Sequence, residues 1–244
     1  MTHSQGQGVS LLPGLHSLQA ETTGSPEVVV AVLDGPADLS HPCFAGASLR
    51  SLSAEDSVDS GTAAQHGTHV ASVIFAQHQQ SAEAVHGIAP RCAGLLVPIF
   101  ANKEDGSIIP CSEIRLASAL LDVLREAERL FPGKDSLPLI INISGGQFSR
   151  TGQGHPLLAD AVKKCAAKNV LIVAAAGNEG CDCLHVPGSL PSVLAVGAMD
   201  ADGAPLPMSN WGAAYRTQGV LAPGQNIRGA QPGGGFAASS GTSF

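Results

Sequence analysis

The chain has 244 residues, enough to bury a sizeable core and usual for one α/β domain. Apolar residues make up 44% of the chain and charged residues 14%, and the 29 Gly and 16 Pro predict many tight turns. The formal net charge of -7, with no basic stripe, argues against a nucleic-acid partner. No apolar run approaches the roughly 20 residues that cross a bilayer, so no membrane role is expected.

Residues 1–26 are predicted to form an entry segment ahead of one main domain, residues 27–244. The polar start, Met1 to Gly8, lacks the pattern of a signal peptide, so a cytoplasmic protein is expected. In a reducing compartment most of the six cysteines should be buried free thiols. Cys181-Asp182-Cys183 could suggest a metal clip, but two thiolates without further ligands nearby favour a disulfide involving one of the pair.

Apolar runs alternate between strand and helix patterns along the chain. In chain order the predicted elements are strand 27–34, helix 66–77, strand 93–99, helix 112–130, strand 137–143, helix 155–168, strand 170–175 and strand 193–198. The near-continuous, β-branched run at 27–34 is typical of a parallel strand covered on both faces. Ser112 provides an N-terminus for the second helix. This alternation predicts a doubly wound, parallel α/β sheet in a single domain, followed by a Gly/Pro-rich tail.

Three side chains are suited to acyl transfer. Asp34 ends the first strand, His66 opens the first helix, and Ser243 lies in a small-residue run near the end of the chain. A hydroxyl is a poor nucleophile at neutral pH, so Ser243 needs a base. His66 would take its proton, and Asp34 would fix the imidazole tautomer and stabilise the imidazolium. The alternatives are a turn cap for Asp34 and plain loop for Ser243, while His69 is expected to be a buried structural neighbour.

Six ordered blocks make the chain resemble the subtilisin-like serine proteases, the subtilases, from residue 27 onward. The blocks are Ala31-Val32-Leu33-Asp34-Gly35, His66-Gly67-Thr68-His69-Val70-Ala71-Ser72, Ile141-Asn142-Ile143-Ser144-Gly145-Gly146, Ala174-Ala175-Ala176-Gly177-Asn178-Glu179-Gly180, Leu221-Ala222-Pro223-Gly224 and Ser240-Gly241-Thr242-Ser243. The resemblance implies a three-layer, doubly wound α/β fold with a mainly parallel central sheet. It also implies a serine endopeptidase with Asp34, His66 and Ser243 as its triad.

The same resemblance implies the rest of the site. Asn178 would donate to the oxyanion together with the backbone N–H of Ser243. Ser144-Gly145-Gly146 would form the strand edge along which a peptide substrate pairs. The substrate-binding residues implied in this way are Ser144, Gly145, Gly146, Ala175, Gly177 and Glu179. Glu179 could favour a basic or polar side chain before the cleaved bond, or it could be solvated surface.

No cofactor is expected, including the tight calcium site that subtilases often carry. Residues 77–80 contain no carboxylate, and Cys43 stands in the loop where an acid would help to bind the ion. The sequence therefore predicts no strong metal site.

A narrower resemblance is to the proteases that mature cyanobactins, which are ribosomal peptides cut from a precursor. It rests on Leu33-Asp34-Gly35-Pro36, Ser40-His41-Pro42-Cys43-Phe44, Gly180-Cys181-Asp182-Cys183-Leu184-His185-Val186-Pro187 and Ser209-Asn210-Trp211-Gly212. One such protease cleaves the precursor, and another transfers the acyl-enzyme to the peptide's own amine and closes a ring. The short, Ser-rich segment between Asp34 and His66 favours plain cleavage, although residues 101–112 or 125–135 could furnish a lid over the site.

The end of the chain carries a further expectation. In subtilases the nucleophile opens a long buried helix, whereas this sequence ends at Phe244, one residue after Ser243. The C-terminal part of the fold is therefore expected to be missing, and the 244 residues to be a truncated or processed portion with little or no activity alone. A catalytically inactive binding module with a subtilase fold is the corresponding alternative. Oligomeric state is left open.

Overall fold

The computed structural model describes residues 14–52, 61–78 and 85–244. The α-helices are α1 Leu15–Glu21, α2 Thr62–Phe75, α3 Glu113–Leu130, α4 Pro156–Ala167 and α5 Tyr215–Gln218, and Pro42–Phe44 form a 3₁₀ turn. The strands are β1 Val29–Asp34, β2 Leu49–Ser51, β3 Ala93–Pro98, β4 Ala101–Asn102, β5 Ile108–Ile109, β6 Leu139–Ile143, β7 Gln147–Ser149, β8 Leu171–Ala175, β9 Leu184–Val186, β10 Val193–Met199, β11 Gly219–Pro223, β12 Ile227–Ala230 and β13 Phe236–Ser239. The first half of the predicted entry segment, and parts of the loops before α2 and after residue 78, lie outside the described residues.

Seven strands form the central sheet in the order β11-β10-β8-β6-β1-β3-β2. Every pairing within it is parallel. The sequence predicted the five inner strands, and the predicted doubly wound α/β class is confirmed. The two edge strands were missed. β2 is a three-residue strand in a Ser-rich loop, and β11 lies in the stretch expected to be an irregular tail.

Helices cover both faces of the sheet, which gives three layers. Alternate residues of β1 point to opposite faces, as the period of a strand requires. Ala31 and Leu33 join the core beneath α3 and α4, whereas Val30 and Val32 join the core beneath α2. All six residues of β1 are buried, which explains why its sequence is a continuous apolar run.

Helix α2 begins at Thr62, four residues earlier than predicted. His66 therefore lies in the second turn of the helix and does not open it. No sequence pattern indicated this earlier start, because the N-cap residue is Gly61, which has no side chain to cap the helix. Helix α3 begins as predicted, since the Ser112 hydroxyl accepts a hydrogen bond from the Arg115 backbone N–H at 3.2 Å.

Two glycines let the end of β1 approach α2 closely. A Cβ on Gly67 would overlap the Gly35 carbonyl oxygen and would lie 2.7 Å from the Pro36 carbonyl oxygen. A Cβ on Gly35 would in turn overlap the backbone of Ala63. The absence of both side chains allows Asp34, at the end of β1, to meet His66 on the helix.

We expect Gly67→Ala to destabilise the fold even though alanine favours a helix by about 1 kcal/mol over glycine. The new methyl group meets backbone atoms that cannot rotate away, and such overpacking costs about 1–3 kcal/mol net. Thermal unfolding followed by circular dichroism should show a midpoint several degrees lower. Ser118→Ala, on the exposed face of α3, is the control and should change stability little. A Gly67→Ala variant as stable as the wild type would contradict this packing.

The stretch from β11 to Phe244 is more regular than predicted. β12 and β13 form an antiparallel hairpin that packs on α2, where the Ala230 backbone N–H donates to the Ser72 hydroxyl at 2.8 Å. The Gly241 N–H donates to the Gly224 carbonyl oxygen at 2.8 Å. These contacts return the chain to the sheet and bring Ser243 to the edge where Asp34 lies.

The cysteines follow the expectation in part. Cys43, Cys92 and Cys165 are buried free thiols, and Cys111 is half-buried and free. Cys181 and Cys183 form a disulfide with each other. In the part of the chain that the structure describes, no helix is long and apolar enough to span a bilayer, and no three acidic, histidine or cysteine side chains cluster as metal ligands.

Candidate active site

An aspartate and a histidine form a buried pair at the carboxyl end of β1. Asp34 is 1% exposed, and its Oδ1 accepts hydrogen bonds from His66 Nδ1 at 2.7 Å and from the Gly35 backbone N–H at 2.6 Å. This hydrogen bond places the proton of the neutral ring on Nδ1, the nitrogen that faces Asp34. His66 Nε2 is therefore the nitrogen that can accept a proton.

The carboxylate of Asp34 also sets the proton affinity of His66. Burial of the imidazole opposes its protonation, but the negative charge of Asp34 and the hydrogen bond to it outweigh burial and raise the pKa of His66. The raised pKa makes His66 a stronger base than a free imidazole. It also means that the neutral, proton-accepting form is populated only at higher pH.

Ser243 lies beside this pair, and its side chain points toward Ser144. The Ser243 hydroxyl donates to the Ser144 carbonyl oxygen at 3.3 Å, while the Ser144 hydroxyl donates to the Ser243 carbonyl oxygen at 3.1 Å. Between Ser243 and His66, both within the described ranges, there is no hydrogen bond. The ring of Phe244 instead lies 5.2 Å from the His66 ring, centroid to centroid.

The loop that follows β8 brings Asn178 to the same place. Its Oδ1 accepts a hydrogen bond from the Thr242 backbone N–H at 2.9 Å, and the Gly177 N–H donates to the Thr242 hydroxyl at 3.2 Å. Because the amide oxygen of Asn178 is bonded to Thr242, the residue before Ser243, its NH₂ group lies near Ser243 and can act as a hydrogen-bond donor. Gly177 has a φ of +104°, which favours glycine at that position.

Two of the residues predicted to bind substrate line a cavity beside Ser243. Ser144 and Ala175 border a cavity of about 150 Å³ that Ser243 and Phe244 also line. Gly145 and Gly146 continue the chain from β6 toward β7. A Cβ on Gly145 would overlap the Phe100 ring, and one on Gly146 would lie 2.7 Å from the Val186 carbonyl oxygen. Only glycine fits at either position without displacing a neighbour.

Glu179 is half-exposed but is not simply solvated. Its Oε2 accepts a hydrogen bond from Asn210 Nδ2 at 2.6 Å and lies 3.0 Å from His185 Nε2. His185 is buried, and its Nε2 is not aligned for a hydrogen bond. Sequence reasoning gave Asn210 and His185 no role. Their only signal was that both belong to blocks that carry the narrower resemblance.

The two segments that could furnish a lid, residues 101–112 and 125–135, lie in different places. Residues 101–112 contain the short antiparallel pair β4 and β5, and the Asn102 side chain accepts a hydrogen bond from the Ala63 N–H at the start of α2 at 2.8 Å. Residues 125–135 end α3 at the edge of the sheet where β6 begins. Since the strands are parallel, that edge is opposite the one where β1 ends at Asp34. Residues 125–135 therefore do not cover the site.

His69 is buried one turn after His66, as expected of a structural neighbour. Its side chain is 3% exposed, and its Nε2 has no hydrogen-bond partner among the described residues. Burial and the nearby charge of His66 lower the pKa of His69 to about 4, against a weaker opposing effect of the Ile227 backbone. His69 is therefore neutral in the folded protein near pH 7.

This pKa predicts an acid-sensitive fold. An unfolded histidine takes up a proton near pH 6.5, whereas folded His69 does so near pH 4. The stability that neutral His69 contributes is thus complete above pH 6.5 and is lost as the pH falls toward 4, by up to roughly 3 kcal/mol. Urea unfolding at a series of pH values should show this slope. The slope should be shallower in His69→Asn, and equal slopes in both proteins would contradict the assignment.

A parallel sheet whose first strand ends in an aspartate, bonded to a histidine on the following helix, is the scaffold on which subtilisin-type serine peptidases place their triad. The chain belongs to the subtilase family, whose model matches residues 25–244. This match covers the whole central sheet and every residue placed in the candidate active site.

Among solved structures, the chain is similar to the prenylagaramide maturation protease PagA. The two are 48% identical with a TM-score of 0.82, over 96% of this chain and 76% of that one. It is 28% identical to the PatG macrocyclase, solved with a peptide, with a TM-score of 0.82 over 100% of this chain and 79% of that one. The intracellular serine protease of Paenibacillus polymyxa is 32% identical over 98% of this chain and 71% of its own length.

The fungal relatives are much longer than the matched region. Subtilisin-like protease 1 of Trichophyton equinum is 29% identical over 95% of this chain, which spans 41% of that protein. The comparisons therefore define the family and the fold of residues 25–244, and the resemblance to cyanobactin maturation proteases found in the sequence is confirmed.

Proposed function

We propose that the protein is a serine endopeptidase that cleaves a ribosomal precursor peptide through an acyl-enzyme on Ser243. The observation that carries the proposal is the buried Asp34–His66 hydrogen bond of 2.7 Å, next to Ser243 and Asn178. Within this proposal residues 27–244 form the protease domain, no cofactor takes part, and the protein acts in the cytoplasm. The likeness to the maturation protease PagA, at 48% identity, supports a precursor peptide as the substrate.

The chemistry proceeds in two halves. In the first, the Ser243 hydroxyl turns from the Ser144 carbonyl oxygen to His66 Nε2, gives its proton to that nitrogen, and attacks the scissile carbonyl carbon. The resulting oxyanion accepts hydrogen bonds from Asn178 Nδ2 and the Ser243 backbone N–H. His66 then donates its proton to the leaving amine, and the C–N bond breaks to leave an ester on Ser243.

In the second half, water attacks this ester. His66 takes a proton from the water, a second tetrahedral intermediate forms in the same oxyanion site, and the Ser243 oxygen leaves with the proton from His66. The product is a free carboxylate. Asp34 keeps its charge throughout and stabilises the protonated His66.

The substrate backbone is proposed to pair with Ser144-Gly145-Gly146 as an added strand. The two glycines present no side chain along this edge, because Phe100 and Val186 occupy the space that a Cβ would fill. Ala175 and Gly177 would line the floor below the residue that precedes the cleaved bond. The half-exposed carboxylate of Glu179 would favour a donor at that residue, such as a basic or polar side chain.

Peptide macrocyclisation is the second candidate, because the PatG macrocyclase matches this fold with a TM-score of 0.82 over 100% of the chain. The same acyl-enzyme would then react with the peptide's own amine in place of water. Hydrolysis is preferred because PagA is 48% identical and PatG only 28%. In the described residues between Asp34 and His66, the helical structure is also limited to the three-residue 3₁₀ turn Pro42–Phe44 and the first turn of α2.

Mass spectrometry of the products separates these functions. The protein at its natural length is incubated with a precursor peptide that carries both leader and C-terminal tail, in water enriched in heavy oxygen. Linear products with a labelled new carboxylate are expected. Mainly cyclic product without the label would favour macrocyclisation, and an unchanged peptide would support the binding-module alternative. Ser243→Ala is the control for contaminating proteases.

A further inference from the structure

The loop that carries Asn178 is held by a second segment, which runs from Met208 to Trp211. The Asn210 backbone N–H donates to the Gly177 carbonyl oxygen at 3.0 Å, and the Glu179 N–H donates to Asn210 Oδ1 at 2.8 Å. Asn210 thus bonds the residue before Asn178 and the residue after it. The Gly180 N–H, one residue further on, donates to the Met208 carbonyl oxygen at 2.8 Å.

The Asn210 side chain is buried and uses both ends of its amide. Its oxygen accepts from the Glu179 backbone, and its Nδ2 donates to Glu179 Oε2 at 2.6 Å. Residue 210 is 5% exposed, so water cannot readily replace either bond. A shorter side chain would leave the Glu179 N–H without this acceptor and would free the loop on one side of Asn178.

Tyr215 and His185 hold the start of the loop, at Ala176. The Tyr215 hydroxyl donates to the Ala176 carbonyl oxygen at 3.1 Å and accepts from the His185 backbone N–H at 2.8 Å. The disulfide between Cys181 and Cys183 lies between Glu179 and His185, and the Trp211 N–H donates to the Cys181 carbonyl oxygen at 3.1 Å. These contacts hold the backbone, but among the described residues only Asn210 bonds both neighbours of Asn178.

We infer that Asn210 is a positioning residue for the oxyanion donor, acting on the reaction through Asn178. This inference rests on the proposed function. The Asn178 NH₂ group must meet an oxygen that becomes charged only in the transition state, and its effect depends on being fixed there in advance. Asn210 fixes the peptide units on both sides of it. The Asn178 side chain accepts a hydrogen bond from the Thr242 N–H at 2.9 Å, which leaves its position dependent on the loop backbone.

A double-mutant cycle between Asn210 and Asn178 tests the inference. Asn210→Ala should lower kcat by about 10- to 100-fold, the loss expected when a catalytic group moves by about 1 Å, with KM changed less than about twofold. In a protein that already carries Asn178→Ala, the same substitution should change kcat by less than about twofold. Met208→Ala is the matched control on the same segment and should leave both constants unchanged.

A purely structural role predicts a different pattern. Asn210→Ala would then lower kcat by the same factor whether or not Asn178 is present, and this additive result would overturn the inference. Thermal unfolding of each variant is measured in parallel. If Asn210→Ala does not fold, Asn210→Ser, which keeps a short acceptor, takes its place in the cycle with the same two outcomes.

Reaction with a fluorophosphonate separates this inference from the proposed function. The serine oxygen attacks the phosphorus and displaces fluoride, its proton passes to His66, and the phosphoryl oxygen of the adduct lies where the substrate oxyanion would lie. If wild-type Ser243 is not labelled, the proposed function fails. If Ser243 is labelled and Asn210→Ala is labelled at the wild-type rate, only the role of Asn210 fails. The expected result is that Asn210→Ala lowers the labelling rate of Ser243 about tenfold or more. The same substitution should cause no further reduction in a protein that already carries Asn178→Ala.

Discussion

Ser243→Ala is expected to lower kcat for cleavage of a precursor peptide by about 10⁶. This magnitude is the one found when subtilisin, a member of the same family, loses its nucleophile. The alanine leaves no oxygen to form the acyl-enzyme, so only binding and the oxyanion donors remain to assist attack by water. Initial rates of peptide cleavage by the protein at its natural length measure the effect.

The fold should not change with this substitution, because the Ser243 side chain makes a single long hydrogen bond, of 3.3 Å, to the Ser144 carbonyl oxygen. Equal unfolding midpoints of wild type and variant would show that the loss is chemical. Ser240→Ala, three residues earlier, is the matched control and should keep its activity. Residual activity of Ser243→Ala above about one per cent of wild type would contradict a nucleophilic role for Ser243.

Asp34→Asn is expected to lower kcat by about 10⁴. The amide that replaces the carboxylate no longer carries a charge to stabilise protonated His66, and it can hold the ring in the wrong tautomer. Because Asp34 is 1% exposed, no water is at hand to substitute for the lost carboxylate. The effect should lie in kcat, since Asp34 makes no contact with the proposed substrate strand.

The pH dependence of Asp34→Asn gives a second readout with a definite sign. In the wild type, Asp34 raises the pKa of His66, so cleavage should decline as the pH falls through this raised value. Without the carboxylate, burial dominates and lowers the pKa of His66, so the acid limb should move to lower pH. Asp38→Asn, a buried acid outside the site, is the control and should leave the limb in place. An acid limb that stays in place in Asp34→Asn would contradict the coupling.

The inner part of the fold could be predicted because each element is fixed by its own residues. The run from Val28 to Leu33 is apolar on both faces and can only be a covered strand, and the spacing of leucines after Ser112 matches one helix face. Five of the seven strands of the central sheet were predicted for this reason. The pairing of Asp34 with His66 was predicted from the two sequence blocks that contain them. In the structure they meet where β1 ends beside α2.

The parts that could not be predicted depend on contacts between distant residues. β11, β12 and β13 are runs of only four or five residues, which form strands by pairing with the sheet edge and with each other. The early start of α2 at Thr62 depends on Asn102, 39 residues away from Ala63, which bonds the first turn. The network of Glu179, Asn210 and His185 joins side chains up to 31 residues apart, and no local pattern indicates it.

The orientation of the Ser243 side chain could also not be predicted from the sequence. The motif predicts a hydroxyl aimed at His66, whereas the structure places it on the Ser144 carbonyl oxygen, with Phe244 packed against the imidazole. The expectation that the 244-residue chain alone has little activity stays a prediction. Turnover of a peptide by that chain would contradict it.

Labelling of the folded protein with a fluorophosphonate, followed by mass spectrometry of its peptides, tests most directly whether Ser243 is the nucleophile. One adduct is expected, located on Ser243, and it should form faster as the pH rises and His66 becomes neutral. Ser243→Ala should form none. A folded protein at its natural length that takes up no label, or takes it up on another residue, would contradict the proposed serine peptidase.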